Sequence, residues 1–236
     1  MLFVKKYQVL VSFALLTLFT ACSSNEIGES KDVAQDKIYQ NYNISYTEGN
    51  TNAEIFCQFR FAGNNGTTLV LNKPSQIQFD GEKLNVDSST GGGAYYRAYK
   101  PVNDFFGKHT FTFINTDNKK FENDFSFDSF KLVNMPATIS KKQDLNLYFE
   151  TTNLQGDDFI EIDATSTDSS FSITHNATDS GNFIIIPAKE LLRQKGNELT
   201  IEATLYRKIA LQQNTAEGGV MEIRYSLKAV KIKLAE

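Results

Sequence analysis

The chain of 236 residues contains no tryptophan, two cysteines, two histidines and four prolines. Neither His109 nor His175 has a second histidine or a cysteine at metal-ligand spacing, so the sequence gives little support to a zinc site. No Gly-x-Ser-x-Gly motif accompanies them, and the usual sequence signature of a serine hydrolase is therefore missing. We predict no catalytic residue, no metal site and no cofactor, and we expect a protein that is not an enzyme. An enzyme without a recognisable motif is the less favoured alternative.

The chain also lacks an apolar run long enough to cross a membrane. Residues 7–21 form its most apolar segment, which is shorter than the roughly 20 residues of a transmembrane helix. Lys5 and Lys6 precede this segment, and polar residues follow it directly. Basic, apolar and small residues in this order are typical of a secretory signal peptide. We predict that residues 1–21 are such a signal peptide.

The end of this segment resembles the lipobox of bacterial lipoproteins, with Phe19, Thr20 and Ala21 directly before Cys22. Phe19 departs from the usual leucine. An ordinary signal cleavage after Ala21 fits less well, because it would place bulky Phe19 where a small side chain is preferred. The resemblance implies that acyl chains such as palmitate are attached to Cys22, which becomes the N-terminus of a protein bound to a membrane through its lipid. Two or more acyl chains give stable anchoring, since each buried methylene contributes about 0.8 kcal/mol.

The resemblance also bears on the cellular location. No acidic residue follows Cys22 directly, which favours the outer membrane of a Gram-negative cell envelope and leaves open whether the periplasmic or the surface face is occupied. With Cys22 acylated, Cys57 has no partner for a disulfide bond. Cys57 lies among alternating apolar residues, so we expect a buried side chain without chemistry of its own.

Basic residues are in the minority. Removal of residues 1–21 takes away Lys5 and Lys6 and no acid, which leaves 22 basic and 28 acidic residues and a net charge of −6. A mildly acidic chain has no electrostatic attraction to nucleic acid or to anionic lipid. We therefore expect no nucleic-acid partner, and membrane contact only through the N-terminal lipid.

Residues 22–36 contain few apolar side chains, and Glu26, Glu29, Lys31 and Asp32 make the segment strongly polar. Such a composition is typical of a flexible linker. We predict a tether that holds the folded part of the protein away from the bilayer.

The remaining chain is dominated by short runs in which apolar and polar residues alternate. Runs of this kind, rich in Phe, Tyr, Ile and Thr and separated by turn residues, predict β-strands. The first series covers residues 38–46, 53–61, 68–71, 77–79, 84–86, 95–99, 109–114 and 125–133, and the second covers residues 145–151, 159–162, 171–174, 183–186, 199–206 and 220–234.

The two series predict two all-β domains, residues 37–134 and residues 135–236, with the boundary at residues 134–136. About seven short strands in each domain resemble immunoglobulin-like β-sandwiches, although the usual Cys, Trp, Cys core is absent. The mature chain as a whole resembles small two-domain lipoproteins of Gram-negative envelopes, a resemblance that implies no particular activity.

Two local features interrupt the strand pattern of the second series. Residues 188–194 predict a short helix, since Pro187 precedes them and Gly196 follows. In the last strand, the apolar residues change phase near Lys228 and Ala229. One extra residue produces such a change, so we predict a β-bulge there.

Tyr95, Arg97 and Tyr99 are the candidate ligand-binding residues. They alternate along one predicted strand and therefore share one face of it. Two aromatic rings beside a guanidinium group can stack on a sugar or hold a peptide. Ordinary packing between strands is the competing interpretation, and the lack of tryptophan counts against a specialised carbohydrate module.

Acidic residues concentrate at one predicted turn region of the second domain, namely Asp157, Asp158, Asp163 and Asp168. Oxygen-rich loops can bind calcium, but the ordered ligand pattern of an EF-hand is missing. The sequence leaves open whether this loop binds calcium or is simply solvated.

The sequence thus favours a lipid-anchored cell-envelope protein with a structural or interaction role. Its partner, an envelope protein or a glycan, and its oligomeric state are not indicated. The alternative is a surface glycan-binding lipoprotein, which the side chains of Tyr95, Arg97 and Tyr99 suggest.

Overall fold

The computed structural model describes residues 26–152, 154–167 and 169–236. Strands account for 56% of the structure and helices for 7%, so the predicted all-β sandwich class is confirmed. The predicted signal peptide, Cys22 and Asp168 lie outside the described residues. No helix in the described part of the chain is long and apolar enough to cross a membrane.

The described residues form nineteen strands, one short helix and three single turns of 3₁₀ helix. The helix α1 spans Ala188–Leu192, and the 3₁₀ turns span Ser30–Asp32, Gln35–Lys37 and Val102–Asp104. The strands are β1 (Ile27–Glu29), β2 (Ile38–Thr47), β3 (Asn52–Phe61), β4 (Thr67–Val70), β5 (Gln76–Phe79), β6 (Glu82–Lys83), β7 (Val86–Ser89), β8 (Gly93–Pro101), β9 (Gly107–Ile114), β10 (Lys120–Phe127), β11 (Lys131–Val133), β12 (Thr138–Ser140), β13 (Leu145–Glu150), β14 (Phe159–Thr165), β15 (Ser170–Asn176), β16 (Phe183–Ile186), β17 (Glu198–Ile209), β18 (Gly219–Ser226) and β19 (Val230–Ala235).

In the first half of the chain, two sheets face each other across an aromatic core. One contains β1, β4, β3, β2, β8 and β7, and the other has the order β10-β9-β5-β6. Tyr42 of β2 stacks on Phe111 of β9 with ring centroids 4.6 Å apart, and Phe59 packs on Phe113 at the same distance. The alternation predicted from the sequence thus places every second side chain of β2 in the core.

In the second half, β12, β19, β18, β17, β14 and β15 lie in one sheet, and β11, β13 and β16 form a small second sheet. Leu147 of β13 and Ile162 of β14 are fully buried. Helix α1 is shorter than the predicted 188–194 and buries Leu191.

One sheet joins the two halves. Strand β18 pairs in parallel with β2 over eight positions, from Gly219 opposite Gln40 to Ser226 opposite Thr47. The main sheets of both halves therefore form one sheet of twelve strands, which we call the shared sheet. The predicted boundary at residues 134–136 falls between β11 and β12, and the division into two independently folding domains stays a prediction.

The segment before β2 differs from the flexible tether predicted for residues 22–36. From Glu26 onward it lies against the first half: β1 pairs in parallel with β4, and the buried Ser30 hydroxyl accepts a 2.9 Å hydrogen bond from the amide of Asn72. The Gln35 side chain donates to the carbonyls of Ser30 and Val33. These polar side chains satisfy backbone groups at the edge of the sheet, a role that composition alone does not reveal.

The predicted bulge is present. Ser226 lies opposite Thr204 of β17, and Val230 lies opposite Ile201. Three residues, 227–229, therefore face only two residues of β17, which is the one extra residue that defines a bulge. The Leu227 amide still donates a 2.8 Å hydrogen bond to the carbonyl of Ala203.

Candidate functional site

The predicted residues Tyr95, Arg97 and Tyr99 do share one face of β8, the outer face of the shared sheet. Tyr95 is nevertheless mostly buried, since its ring stacks on Phe56 of β3 at 5.3 Å. The Arg97 guanidinium lies 4.9 Å from the centre of the Tyr95 ring, and its Nε is 2.8 Å from a carboxylate oxygen of Glu54. The Tyr95 ring is thus engaged by Phe56 and Arg97, and the Arg97 guanidinium is engaged by Tyr95 and Glu54.

Tyr99 is different, because 59% of its surface is exposed. Packing between strands explains Tyr95, as the competing interpretation expected, whereas the Tyr99 ring remains accessible to a ligand.

A second cluster of aromatic and cationic side chains, which the sequence reasoning missed, lies on the same outer face. Phe159 of β14 and Tyr206 of β17 stack with centroids 4.6 Å apart. The guanidinium of Arg224 on β18 lies 5.6 Å from the centre of the Tyr206 ring. Arg224 is exposed and has no ion-pair partner among the described residues, so its donors face solvent.

Tyr206 keeps its proton at neutral pH. Burial raises the pKa of its phenol, and the positive charge of Arg224 opposes this effect only in part. A hydrogen bond to the Glu161 carboxylate raises the pKa further, so the hydroxyl donates to Glu161 and can accept a hydrogen bond from a ligand.

Strand register connects the two clusters. Tyr99 lies opposite Glu54, Glu54 opposite Ser45, Ser45 opposite Arg224, Arg224 opposite Tyr206, and Tyr206 opposite Phe159. These six side chains form one line across the outer face, which we call the transverse row. Neighbouring strands are about 4.8 Å apart, so four steps separate Tyr99 from Tyr206 by roughly 19 Å.

A cleft of about 640 Å³ opens along the second half of this row. Its volume lies within the usual range of small-ligand sites. Its lining combines aromatic rings with amide, hydroxyl and charged groups. The lining side chains that matter here are Asn43, Ser45, Phe159, Tyr206, Glu222 and Arg224.

The acidic residues predicted as a loop cluster do not converge. Asp158 is buried and lies 3.6 Å from Nε of Arg207, Asp157 lines the cleft, and Asp163 accepts a hydrogen bond from Ser172. Among the described residues there is no group of three His, Cys, Asp or Glu side chains that could hold a metal ion. Asp168 lies outside the described residues.

A larger cavity of about 950 Å³ lies beside Arg207. Arg207 contacts Asp128 of the first half at 3.3 Å and donates a 2.9 Å hydrogen bond to the carbonyl of Thr152. Its charge is therefore engaged in joining segments of the chain.

Cys57 and the two histidines are buried and pack against other side chains. Cys57 is fully buried, as predicted, and burial raises the pKa of its thiol well above the usual value. His109 stacks on Phe105 at 4.4 Å, with Nδ1 2.8 Å from Asp80. His175 is buried with its ring edge-on to Phe149 at 5.0 Å. None of the three is exposed on the outer face of the shared sheet.

Comparison with known proteins adds little to this geometry. The sequence matches no protein-family model and no curated protein. A solved structure from the Bacteroides ovatus mixed-linkage glucan utilization locus, SGBP-B in complex with mixed-linkage heptasaccharide, is similar with a TM-score of 0.17 and 10% identity over 86% of this chain. The chain spans 65% of the length of that protein. A TM-score this low does not establish a common fold and says nothing about function.

Proposed function

We propose that this protein is a lipid-anchored, non-catalytic protein of the cell envelope that binds a glycan in the cleft of the shared sheet. The observation that carries the proposal is the Phe159–Tyr206 stack, with the exposed guanidinium of Arg224 beside it. Sugars present apolar ring faces surrounded by hydroxyl groups. Flat aromatic rings next to multiple hydrogen-bond donors and acceptors match both properties.

The composition of the cleft supports a neutral polar ligand over a strongly charged one. Two acidic side chains, Asp157 and Glu222, line it together with three basic ones, Arg207, Lys208 and Arg224. The charge of Arg207 is engaged by Asp128 and Asp158, and Glu222 lies opposite Lys208 across β18 and β17, so the remaining acidic and basic groups are balanced. The amide of Asn43 donates to Asn41, and its oxygen is left to accept a hydrogen bond. Glycan binding is thus the most specific form of the interaction role that the sequence favours.

Glu26, the first described residue, lies beside β4, and the cleft lies on the other side of β2 in the shared sheet. Cys22 precedes Glu26 by four residues, which span at most roughly 14 Å, and the Glu26 carbonyl accepts a 3.1 Å hydrogen bond from the amide of Thr68. Lipid on Cys22 would hold this end of the sheet close to the membrane, in contrast to the flexible tether predicted for residues 22–36. Glu54 of the transverse row lies seven residues from Phe61, which pairs with Thr67 at the anchored end. This corresponds to roughly 23 Å along the strand, so the transverse row lies away from the end that the lipid would hold.

Glycan binding is tested with the mature chain in a sugar-free detergent on a glycan array, followed by titration of the glycans that bind. Tyr206→Ala removes the stacking partner of Phe159 and should strongly weaken binding. Tyr148→Ala is the matched control, because Tyr148 is also partly exposed and packs on a cross-strand ring, Phe183, at 5.8 Å, but on the small sheet. Equal binding by wild type and Tyr206→Ala, or binding by neither to any glycan, would contradict the proposal.

Lipid anchoring is tested separately by Cys22→Ala. The variant should lose labelling by a fatty-acid analogue and leave the membrane fraction, since two acyl chains supply the anchoring free energy. Cys57→Ala is the control and should change neither result, because Cys57 is buried. Unchanged labelling and membrane retention in Cys22→Ala would show that the lipoprotein assignment is wrong.

A further inference from the structure

We infer that the ligand is an extended glycan chain that lies along the whole transverse row, from Tyr206 on β17 to Tyr99 on β8. The inference rests on the proposed function and adds to it the shape of the ligand and a second contact point, Tyr99, outside the cleft.

The two ends of the row carry the accessible rings. Tyr206 and Phe159 form the end in the second half, and Tyr99, 59% exposed, forms the end in the first half. Because the two ends are separated by roughly 19 Å, a single sugar unit cannot contact both. An oligosaccharide that crosses the strands can do so.

The middle of the row is polar. Ser45 lies between Glu54 and Arg224, and Asn43 lies beside it on β2. Ser45 and Asn43 are smaller than the rings at either end, and both line the cleft. The Ser45 hydroxyl and the Arg224 guanidinium offer donors there, and the Glu54 carboxylate, fixed by Arg97 at 2.8 Å, offers an acceptor.

The row also crosses the junction between the two halves. Tyr99, Glu54 and Ser45 belong to the first half, whereas Arg224 and Tyr206 belong to the second. A ligand bound along the row contacts both sides of the β2–β18 pair. Such a ligand should therefore stabilise the folded shared sheet as well as occupy the cleft.

The test compares affinities for unbranched gluco-, xylo- and manno-oligosaccharides from the disaccharide to the octasaccharide, measured by titration calorimetry on the mature chain. In the series that binds, affinity should rise with length and then level off once the chain reaches Tyr99. Tyr99→Ala should weaken binding of the long members by roughly threefold to tenfold, the range for loss of one aromatic contact, and should leave the short members unchanged. Tyr206→Ala should weaken all lengths.

Because the Tyr99 side chain is exposed, Tyr99→Ala should fold normally, and misfolding would not weaken binding of the long members alone. Tyr148→Ala again serves as the control and should bind like wild type. If Tyr99→Ala binds every length as wild type does while Tyr206→Ala loses binding, the ligand is confined to the cleft and the inference is wrong, although the proposed function stands. If no oligosaccharide binds to wild type, in these series or on the array, both are wrong.

Discussion

The hydrogen bond between Tyr42 and Gln40 gives a quantitative test of the packing beneath the shared sheet. Both residues face the core from β2 and are fully buried. The Tyr42 hydroxyl donates to Oε1 of Gln40 at 2.8 Å, and Nε2 of Gln40 has no partner in the described structure. Tyr42→Phe keeps the ring that stacks on Phe111 but leaves the Gln40 side chain without any hydrogen bond. We expect the free energy of unfolding to fall by about 1–3 kcal/mol, the usual cost of a buried polar group that loses its partner.

The companion change is Gln40→Met, which removes the amide and leaves the Tyr42 hydroxyl unpaired. It should cost a similar amount. The double variant removes both polar groups and should be close to wild type, because replacing both partners by apolar groups of similar shape is nearly neutral. Urea unfolding of the wild type, the two single variants and the double variant measures the coupling energy between Tyr42 and Gln40, provided that their m-values, the slopes of unfolding free energy against urea concentration, agree. Additive losses in the double variant would show that this hydrogen bond contributes nothing to stability.

Three further predictions follow from buried groups. Burial raises the pKa of Tyr96 and of Tyr225 to about 12 from 10.0. Between pH 10 and pH 12 the unfolded chain therefore loses protons that the folded chain keeps, and the free energy of unfolding should fall as pH rises through this range; a flat urea midpoint there would be inconsistent with the burial. The Cys57 thiol should react with maleimide only in denaturant, and rapid labelling of the native protein would argue against its buried position. A Cβ at Gly219 would lie 2.3 Å from a backbone oxygen of β2, so Gly219→Ala should strongly lower the melting temperature, whereas Gly91→Ala, in open space, should not.

Much of the local structure could be predicted from the sequence because it depends on one strand at a time. Alternation alone showed that Tyr95, Arg97 and Tyr99 share a face, and a phase change alone revealed the bulge at residues 227–229. Each pattern needs only the backbone geometry of its own strand.

The candidate site could not be predicted because it depends on register among six strands. Tyr99 lies opposite Glu54 and Ser45 lies opposite Arg224, although these pairs are far apart along the chain. Parallel pairing between β2 and β18 leaves no turn residue or spacing that marks the two strands as neighbours. An alternating strand also shows the same pattern at the centre of a sheet and at its edge, so alternation gives no reason to single out Arg224 or Tyr206.

Register also explains why the site and the core depend on each other. A slip of β18 by one residue against β2 would turn Arg224 toward the core and bring the buried side chains of Ile223 or Tyr225 to the surface. The apolar residues on the inner face of β18 oppose such a slip, and in this way they fix Arg224 beside Tyr206. Because the bulge at residues 227–229 absorbs the extra residue, β19 can pair with β17 without forcing that slip on β18. The buried residues of β18 therefore also fix the position of Arg224, the only arginine in the transverse row.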